Sequence, residues 1–467
     1  MNEHRKIPRV HLDRRLDETV RIGPSYQEIV RKDLVQPPAD LLEHHLYPEE
    51  CRPIDRERFF SPQFQRLEVE KMWSRVWQFA CREDELPAAG DTVVYELGDM
   101  SILLIRGRDN VIRAFHNTCL HRGTKLCHAD TRLAEVRCPF HGFTWSLEGD
   151  LTDVPSRWDF PFIDDKKFRL HEVRVELWGG IVFINLDRNA PPLKDYLEVL
   201  PEHFIGCSDY SQKYVKAHYR KRLECNWKAA IEAFIENYHS LETHPQTVCF
   251  NADDNTQYDV FPGARHVSRF LIPNGAQSPH IEKTLSEQEI FASLFEFMAP
   301  GSQPPPLPEG MSARHYLAEL SRGAAHQATQ RDYSTCSDIE ALDPMQYLLF
   351  PNIIIFRGLG IPLIYRFKPV GNDPDACTFE MYVMEDLPAN GARPEPPEVE
   401  DFGDQSFRQA AHALPAWLRE VYDQDTQNLA MQQLGLKAGG PKDVWYSRQH
   451  ESRNRHFHDT LDDYLSR

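Results

Sequence analysis

The chain has 467 residues, of which 41% are hydrophobic and 27% charged, and its formal net charge is −18. The length exceeds what one small core can hold and predicts one large or two ordinary domains, and the composition is typical of a globular rather than a disordered protein. The negative charge argues against a general nucleic-acid binder, because phosphate binding requires a positive surface.

Residues 1–50 are polar, of mixed charge and rich in proline, and we interpret them as an N-terminal extension that contacts a neighbour or is partly mobile. No apolar segment follows the first charged residues, so we expect no secretory signal. No apolar run approaches the roughly 20 residues that a membrane-spanning helix needs. We therefore expect a cytoplasmic protein that does not interact with a membrane.

Residues 51–190 carry a helical pattern followed by strand patterns. Within residues 59–79, apolar side chains such as Leu67, Met72 and Val76 recur at helical spacing and predict a helix. From residue 92 to residue 187, short β-type runs alternate with turn sequences. This part of the chain is predicted to be a helix and a small antiparallel β domain.

Residues 191–467 are predicted to form a second domain of mixed type. A helix is expected at residues 226–238, where the apolar side chains lie on one side. Strand patterns and two later helical patterns surround proline-rich loops, and they occupy residues 347–357, 361–369, 377–385, 407–412 and 418–434. The fold class is therefore predicted to be α+β, with an antiparallel sheet and helices in the second domain.

Ten cysteines are scattered through the chain, which is too sparse for a disulfide scaffold. Most of them are expected to be small buried hydrophobic residues. Two of them, Cys119 and Cys138, have histidines at the spacing of metal ligands.

The first metal-ligand pattern pairs Cys119 with His121, and Cys138 with His141, with sixteen residues between the two halves. Each half offers one thiolate and one imidazole, and two such loops can hold a [2Fe–2S] cluster in which two cysteines bind one iron and two histidines the other. A Cys2His2 zinc site uses the same ligand types. Zinc fingers, however, normally pair cysteine with cysteine and histidine with histidine, so the mixed halves favour the cluster.

The second pattern includes Glu236, His239 and His244. Glu236 and His239 are three residues apart and would share a helix face. His239 and His244 are five apart, so on a regular helix they would diverge by about 140°. Binding of one metal by both requires the helix to end or distort between them, and Pro245 favours such an end. Two imidazoles and a carboxylate form the facial triad of non-haem Fe(II) oxygenases, whereas the alternative is a pair of ordinary polar residues at a helix end.

Both patterns resemble segments of Rieske non-haem iron oxygenases. Cys119-Leu120-His121-Arg122-Gly123 and Cys138-Pro139-Phe140-His141-Gly142-Phe143-Thr144-Trp145 resemble the two cluster loops. Gly123 and Gly142 would allow tight turns close to the cluster. Residues 226–245 resemble the family's Asn-Trp-Lys … Glu/Asp-x-Tyr-His-x4-His-Pro segment. The chain as a whole, from about residue 58 to residue 436, is similar to the alpha, or large terminal oxygenase, subunit.

This resemblance implies a third iron ligand, an aspartate far downstream of the histidines. Residues 423–425 and 432–436 resemble the family's acidic segment, and counting back from Gln433 selects Asp425, with Asp423 as the alternative. The resemblance also implies that Glu236 bridges two subunits by hydrogen bonds to His141 of one and His239 of the other, and so carries electrons between the two centres. A glutamate on a helix surface is the alternative.

The implied fold is an antiparallel β Rieske domain, within residues 51–190, joined to a helix-grip (START-like) catalytic domain of residues 191–467. The implied cofactors are a [2Fe–2S] Rieske cluster and a mononuclear Fe(II). The implied reaction uses O₂ and electrons from NAD(P)H, passed on by a reductase with or without a ferredoxin, to hydroxylate an aromatic or other small organic substrate. Ring dihydroxylation and monohydroxylation both use this machinery. The implied assembly is a head-to-tail homotrimer (α3), and whether a small beta subunit joins it (α3β3) stays open.

Two alternatives remain at this point. Many ring-hydroxylating dioxygenases have aspartate where this chain has Glu236, and the glutamate resembles the carnitine- and choline-type monooxygenases, which perform oxidative O- or N-demethylation or C–N cleavage. The non-enzymatic alternative is a structural zinc protein with a ligand-binding helix-grip domain. It would keep the cysteine–histidine loops as a zinc site and leave His239 and His244 without a role.

Overall fold

The computed structural model describes residues 23–466. Within them the chain divides into two compact units. The larger unit consists of residues 23–61, 197–368 and 374–463, and the smaller unit of residues 62–196, 369–373 and 464–466. The domain limits predicted from the sequence stay predictions, and residues 1–22 of the predicted extension lie outside the described residues.

The strands of the described residues are between two and 14 residues long. They are β1 (Ile54–Asp55), β2 (Gln78–Arg82), β3 (Asp91–Leu97), β4 (Met100–Arg106), β5 (Ile112–His116), β6 (Thr131–Arg132), β7 (Val136–Arg137), β8 (Thr144–Trp145), β9 (Leu151–Asp153), β10 (Glu172–Trp178), β11 (Ile181–Asn185), β12 (Lys213–Leu223), β13 (Gln257–Val260), β14 (Val267–Leu271), β15 (Met345–Leu349), β16 (Ile353–Arg357), β17 (Leu363–Val370), β18 (Asp373–Asp386), β19 (Val399–Asp401) and β20 (Asp443–Val444).

The longer helices all lie in the second half of the chain. The α-helices are α1 (Tyr26–Val30), α2 (Pro62–Glu68), α3 (Leu193–Leu197), α4 (Leu200–His203), α5 (Trp227–Phe234), α6 (Ser240–Thr243), α7 (Glu287–Met298), α8 (Ala313–Thr329), α9 (Asp338–Leu342), α10 (Phe407–Ala410), α11 (Ala416–Lys437) and α12 (Ser452–Leu465). A π-helical turn covers Val69–Trp73, and 3₁₀ turns cover Ala39–Leu41, Arg56–Phe59, Glu83–Glu85, Arg157–Asp159, Gly206–Ser208, Tyr210–Gln212 and Asp253–Asn255. None of the described helices is both long enough and apolar enough to cross a membrane.

The smaller unit is built from antiparallel strands. Seven strands form one sheet in the order β2-β11-β10-β5-β4-β3-β6, and β7, β8 and β9 form a second. β3 and β4 make a hairpin whose two-residue loop, Gly98-Asp99, begins with a glycine at φ 56°, the conformation that tight hairpin turns require. The core between the strands contains Leu103, Phe115 and Trp145. The small antiparallel β domain predicted from the sequence is confirmed.

The helix predicted at residues 59–79 is wrong at its C-terminal end. The helical turns stop at Trp73, and residues from Gln78 onward form strand β2, which pairs with β11. All five β2 residues are buried. Its sequence, Gln-Phe-Ala-Cys-Arg, does not alternate between apolar and polar residues, so the pattern does not distinguish the start of the strand from the end of the preceding helix.

The larger unit is organised around an eight-stranded sheet in the order β13-β14-β15-β16-β17-β18-β12-β19. Its pairs are antiparallel apart from β12 with β19. The strand predicted at residues 347–357 is two strands, because Pro351 and Asn352 lie in the turn between β15 and β16. The two helices predicted near the C-terminus are present as α10 and α11, and α11 packs against α5, α7, α10 and β12. The predicted α+β class is confirmed.

The described part of the predicted extension is packed into its own chain. Tyr26, Val30 and Leu41 are buried against Leu271, Ile339 and Met345 of the larger unit. The Arg314 guanidinium also forms ion pairs with Asp33, in this segment, and with Asp343, both at 2.8 Å. Residues 26–41 are therefore part of a hydrophobic core, which corrects the interpretation of this stretch as a mobile or neighbour-binding arm.

Candidate functional site: two clusters of metal-binding side chains

The two cysteine–histidine loops of the smaller unit fold back on themselves in the same way. Gly123 N donates to the Cys119 carbonyl at 2.9 Å, and Gly142 N donates to the Cys138 carbonyl at 3.1 Å. The two glycines have φ of 78° and 74°, where a side chain would strain the backbone. The sequence prediction of two tight glycine turns is confirmed.

These loops bring the four predicted cluster ligands together. The imidazole rings of His121 and His141 have centroids 4.7 Å apart and are inclined by 70°. Cys119 and Cys138 are buried, whereas His141 is exposed. Burial, with a smaller contribution from the adjacent Cys138 thiol, raises the pKa of the Cys119 thiol. The thiols thus lie on the inner side of the paired loops and the imidazoles on the outer side.

One imidazole atom is particularly suited to bind a metal. His121 Nδ1 is buried and has no hydrogen-bond partner among the described residues. Buried polar atoms in native proteins are almost always satisfied, and a metal bond would satisfy this one. The His121 ring stacks on the ring of Phe143, with centroids 4.8 Å apart and planes inclined by 8°. The ring is therefore held in one orientation while its Nδ1 is left available, as the cluster requires.

Three aromatic residues in and after the second cluster loop are exposed, although no role was predicted for them. Phe140, Trp158 and Phe162 are 59%, 82% and 72% exposed. We call these three residues the aromatic rim. Phe140 lies against His141, with centroids 3.9 Å apart, and exposed apolar patches of this kind mark interaction surfaces. The sequence signal was the Cys-Pro-Phe-His loop itself, which places an aromatic residue directly before a ligand.

In the larger unit, His239, His244 and Asp425 converge. Asp425 Oδ1 lies 2.8 Å from His244 Nε2 and 3.5 Å from His239 Nε2. One ligand atom from each residue lies within 4.8 Å of the other two. His244 and Asp425 are buried, and His239 is partly exposed. Two imidazoles and a carboxylate in this arrangement match the donor set of a non-haem iron centre with open coordination positions.

The backbone breaks where the two histidines must turn toward each other. α5 begins after Asn226, whose side chain caps it by accepting from Lys228 N, and ends at Phe234. His239 and His244 then flank the single turn of α6. The helix predicted to reach residue 238 is therefore too long, and the expected shared helix face of Glu236 and His239 is wrong. The break required for both histidines to bind one metal is present.

Glu236 instead contacts His239 across a turn. The Glu236 carboxylate accepts hydrogen bonds from the backbone N–H groups of Tyr238 and His239, and from His239 Nδ1 at 2.5 Å. Burial alone would lower the pKa of His239, but the neighbouring Glu236 carboxylate, together with Asp425, raises it to about 9. The hydrogen bond fixes the proton on Nδ1, so Nε2 faces Asp425 as a ligand atom.

A second orienting contact comes from Gln424, which the sequence analysis quoted only as a neighbour of Asp425. His244 Nδ1 donates to Gln424 Oε1 at 2.8 Å, and Gln246 Nε2 donates to the same oxygen at 2.8 Å. Each histidine therefore has its Nδ1 hydrogen-bonded and its Nε2 directed toward Asp425. An amide carries no metal-ligand pattern of its own, so adjacency to Asp425 was the one available signal.

The alternative aspartate serves another purpose. Asp423 accepts hydrogen bonds from Phe407 N at 2.7 Å and from Arg408 N at 3.3 Å. These N–H groups belong to the first turn of α10, where no helical carbonyl is available to accept them. Asp423 therefore caps α10, whereas Asp425 faces the histidines.

A cavity of about 590 Å³ opens onto these three side chains. Its wall is mainly aromatic and aliphatic and includes Phe234, Phe297, Tyr365, Trp417 and Tyr422. The acidic residues of the wall are Glu236 and Asp425, and among the described residues no lysine or arginine lines it. A small organic molecule in this cavity would lie beside the His239–His244–Asp425 group.

Comparison with known proteins decides the family. Residues 209–467 match the family model "Ring hydroxylating alpha subunit (catalytic domain)", and residues 76–162 match "Rieske [2Fe-2S] domain". The chain belongs to the ring-hydroxylating alpha subunit family. The predicted family is thus confirmed, and membership implies a Rieske cluster and a mononuclear iron. The structural zinc alternative has no support from these matches.

Curated relatives share part of the sequence. The chain is 34% identical over 244 residues to the carnitine monooxygenase oxygenase subunit of Escherichia coli (strain K12), covering 51% of this chain and 63% of the relative. It is 33% identical over 181 residues to the glycine betaine monooxygenase oxygenase subunit of Pseudomonas aeruginosa (strain UCBPP-PA14), covering 38% and 42%. It is 28% identical over 204 residues to the benzene 1,2-dioxygenase subunit alpha of Pseudomonas putida, covering 42% and 45%. The chain thus spans less than two thirds of each of these relatives.

Solved structures share the fold. A quaternary ammonium Rieske monooxygenase superposes with a TM-score of 0.61 at 18% identity, covering 90% of this chain and 99% of the other. A naphthalene 1,2-dioxygenase from Rhodococcus sp. superposes with a TM-score of 0.59 at 19% identity, covering 94% and 98%. The predicted fold, a Rieske domain with a catalytic domain of antiparallel sheet and helices, is confirmed.

Proposed function

We propose that this protein is the terminal oxygenase component of a multicomponent Rieske oxygenase, which hydroxylates a small organic substrate with O₂ and electrons derived from NAD(P)H. A reductase, with or without a ferredoxin, supplies the electrons. The observation that carries the proposal is the convergence of His239, His244 and Asp425 on the wall of a 590 Å³ cavity. The same chain carries the paired cysteine–histidine loops of a Rieske domain.

In this proposal Cys119, His121, Cys138 and His141 hold the [2Fe–2S] cluster. His239, His244 and Asp425 hold the mononuclear iron. When bound, the cluster supplies single electrons and the iron supplies coordination positions for O₂.

The surrounding side chains orient the ligands and shape the site. Glu236 and Gln424 fix the tautomers of His239 and His244 and aim both Nε2 atoms at Asp425. Such outer contacts are typically worth a factor of about 10–100 in metal affinity or activity. The apolar wall excludes water from the space next to the ligands.

We also propose that Glu236 connects the two centres between subunits of a homotrimer. Its carboxylate already binds His239 within the chain, and Oε1, which contacts His239 Nδ1, has a second lone pair that can accept from His141 of a neighbouring subunit. His141 is exposed, and the exposed ring of Phe140 beside it offers apolar area for a subunit contact. Sedimentation of the purified protein should show at least a trimer. A stable, active monomer would contradict this route for the electrons.

For the substrate, the cavity supports an uncharged aromatic or other apolar molecule. A betaine or carnitine carboxylate would find no lysine or arginine among the described residues of the wall. Burying a carboxylate without a cationic partner is unfavourable. The aromatic wall suits a flat apolar ring, which can pack against Phe297 and Trp417.

Oxidation of a quaternary ammonium compound is the second candidate, because relatives at 33% and 34% identity carry that activity in their names. Aromatic side chains can hold an ammonium group by cation–π contact. The two candidates differ in one requirement: a betaine needs a cationic partner for its carboxylate, whereas an aromatic hydrocarbon needs none.

The test is a single turnover. Protein reduced in full without O₂ is mixed with ¹⁸O₂ and either an aromatic hydrocarbon or carnitine or glycine betaine, and products are identified by mass spectrometry. Labelled hydroxylated arene is expected, with no turnover of the betaines. Turnover of the betaines alone would replace the first substrate class with the second. Absence of labelled product from every substrate, in protein with both metal centres loaded, would contradict the oxygenase proposal.

The predicted cytoplasmic location remains a prediction, as does the participation of a beta subunit.

A further inference from the structure

A second pair of cysteines lies close together in the larger unit. The Sγ atoms of Cys207 and Cys336 are 3.0 Å apart, although 129 residues separate them in the sequence. Both are free thiols. Most of the cysteines were predicted to be small buried hydrophobic residues, and no pairing of these two was predicted.

The two thiols differ in access. Cys336 is 4% exposed, whereas Cys207, in the 3₁₀ turn Gly206–Ser208, is partly exposed. Contact with the Cys336 thiol lowers the pKa of Cys207, and the same contact raises the pKa of Cys336. A reagent from solution therefore meets Cys207 first, as the better nucleophile, with Cys336 behind it as the thiol that can resolve the product.

A metal site explains the proximity of the two thiols less well than a dithiol does. Glu340 lies near both sulfurs and would complete a set of three ligands. Its carboxylate already accepts from Ser337 N at 3.1 Å and Ser337 Oγ at 2.7 Å, and it lies 3.4 Å from the Arg357 guanidinium. A structural zinc site normally needs four donors. The carboxylate is committed to capping α9, which leaves the two sulfurs as the reactive groups.

We propose that Cys207 and Cys336 form a peroxide-oxidisable dithiol that closes reversibly to a disulfide. In the first step the Cys207 thiolate attacks hydrogen peroxide, breaks the O–O bond and becomes a sulfenic acid as hydroxide leaves. In the second step the Cys336 sulfur attacks the Cys207 sulfur, forms the S–S bond and releases water. In total, two thiols and one peroxide give one disulfide and two waters, and a dithiol reductant reverses the reaction.

The cysteine pair lies next to two segments that support the cavity wall. Cys336 lies just before α9, whose last residues Ala341 and Leu342 line the cavity. Ser208, next to Cys207, accepts a hydrogen bond from Gly358 N at 2.9 Å. The residue that follows Gly358 lines another part of the cavity. The disulfide would join these two supports of the wall. The inference goes beyond the oxygenase proposal and does not depend on it.

The chain contains a matched control pair. Cys225 and Cys377 have Sγ atoms 4.0 Å apart, and both are fully buried. They lie at the end of β12 and on β18. Proximity alone would make this pair oxidisable too, whereas the access argument predicts that it stays reduced.

The experiment treats the metal-loaded protein with equimolar hydrogen peroxide, alkylates free thiols during denaturation and maps the peptides by mass spectrometry. A Cys207–Cys336 linked peptide that dithiothreitol removes is expected, while Cys225 and Cys377 are recovered alkylated. Because peroxide also attacks iron–sulfur clusters, iron content is measured in parallel and activity is not the readout. Recovery of Cys207 and Cys336 as alkylated thiols would overturn the proposal.

Two variants test the order of the steps. Cys336→Ser should accumulate a Cys207 sulfenic acid that dimedone traps, and the unchanged protein should not. In Cys207→Ser, Cys336 should stay unmodified. Equal dimedone trapping at Cys207 in the Cys336→Ser variant and in the unchanged protein would contradict resolution of the sulfenic acid by Cys336. Zinc bound stoichiometrically in the purified protein and lost in both variants would also overturn the proposal, in favour of a metal site.

Discussion

The two metal-binding regions are assembled by different means. The cluster loops of the smaller unit lie within residues 119–141, and each loop is closed by a glycine turn of its own. The proposed iron ligands of the larger unit are His239 and His244, at the two ends of the single-turn helix α6, and Asp425 on α11, about 180 residues later in the chain. The first region depends on local backbone geometry, and the second depends on packing of α11 against α5. Changes in one region should therefore leave the metal content of the other unchanged.

The largest effect is expected from Asp425→Ala. Loss of the carboxylate leaves two imidazoles, which bind iron too weakly to retain it. Iron should fall from about three to about two atoms per chain, the cluster spectrum should persist, and product formation should fall below detection. Iron analysis and visible absorption of one sample measure all three quantities.

Asp423→Ala is the matched control on the same helix. It removes the carboxylate that accepts from the Phe407 and Arg408 N–H groups of α10 and should cost about 1 kcal/mol of stability, with iron content unchanged. If Asp423→Ala loses the iron and Asp425→Ala retains it, the assignment of the third ligand is wrong.

The reciprocal change is Cys138→Ser. A serine hydroxyl is a poor substitute for a thiolate ligand, so the cluster and its colour should be lost while about one iron per chain remains. Product formation with reductase and NAD(P)H should stop. Loss of all iron from this variant would contradict the independence of the two regions.

A smaller effect is expected from Glu236→Gln. The amide can still contact His239, so both metal centres should remain loaded. Loss of the carboxylate should slow product formation by about 10–100-fold. The rate of cluster reoxidation after mixing with O₂ and substrate is the sensitive readout, because a purely structural role would not change it. An unchanged reoxidation rate would remove Glu236 from the electron route.

The smallest effect is expected from Gln424→Ala, which removes the hydrogen-bond partner of His244 Nδ1. Iron affinity should fall by about 10-fold, as measured by competition with a chelator. Gln424→Glu retains an acceptor oxygen and should restore most of the affinity. Equal affinity in all three proteins would show that His244 needs no such support.

The two regions also differ in how much of each could be predicted from the sequence. Cys119, His121, Cys138 and His141 could be proposed as cluster ligands from the sequence because their spacing within two short loops is itself the pattern. Asp425 could be selected over Asp423 by resemblance to the family. The hydrogen bonds of Asp423 to α10 then gave a physical reason to distinguish the two aspartates. Sequence spacing contains no information on which face of α11 packs toward His244.

Other features depended on tertiary packing and were missed. Gln424 acts through a contact 180 residues away in sequence. The pairing of Cys207 with Cys336 brings together a turn and a helix start that no local pattern connects. Strand β2 was misread because both of its faces are buried, which removes the alternation that identifies a strand.

The most direct test of the account is an EPR spectrum of the purified protein after dithionite reduction, with iron and zinc quantified on the same sample. The account predicts a rhombic Rieske signal and about three iron atoms per chain, two in the cluster and one at the mononuclear site. A colourless, EPR-silent protein that contains zinc in place of iron would contradict both metal assignments and the oxygenase function built on them.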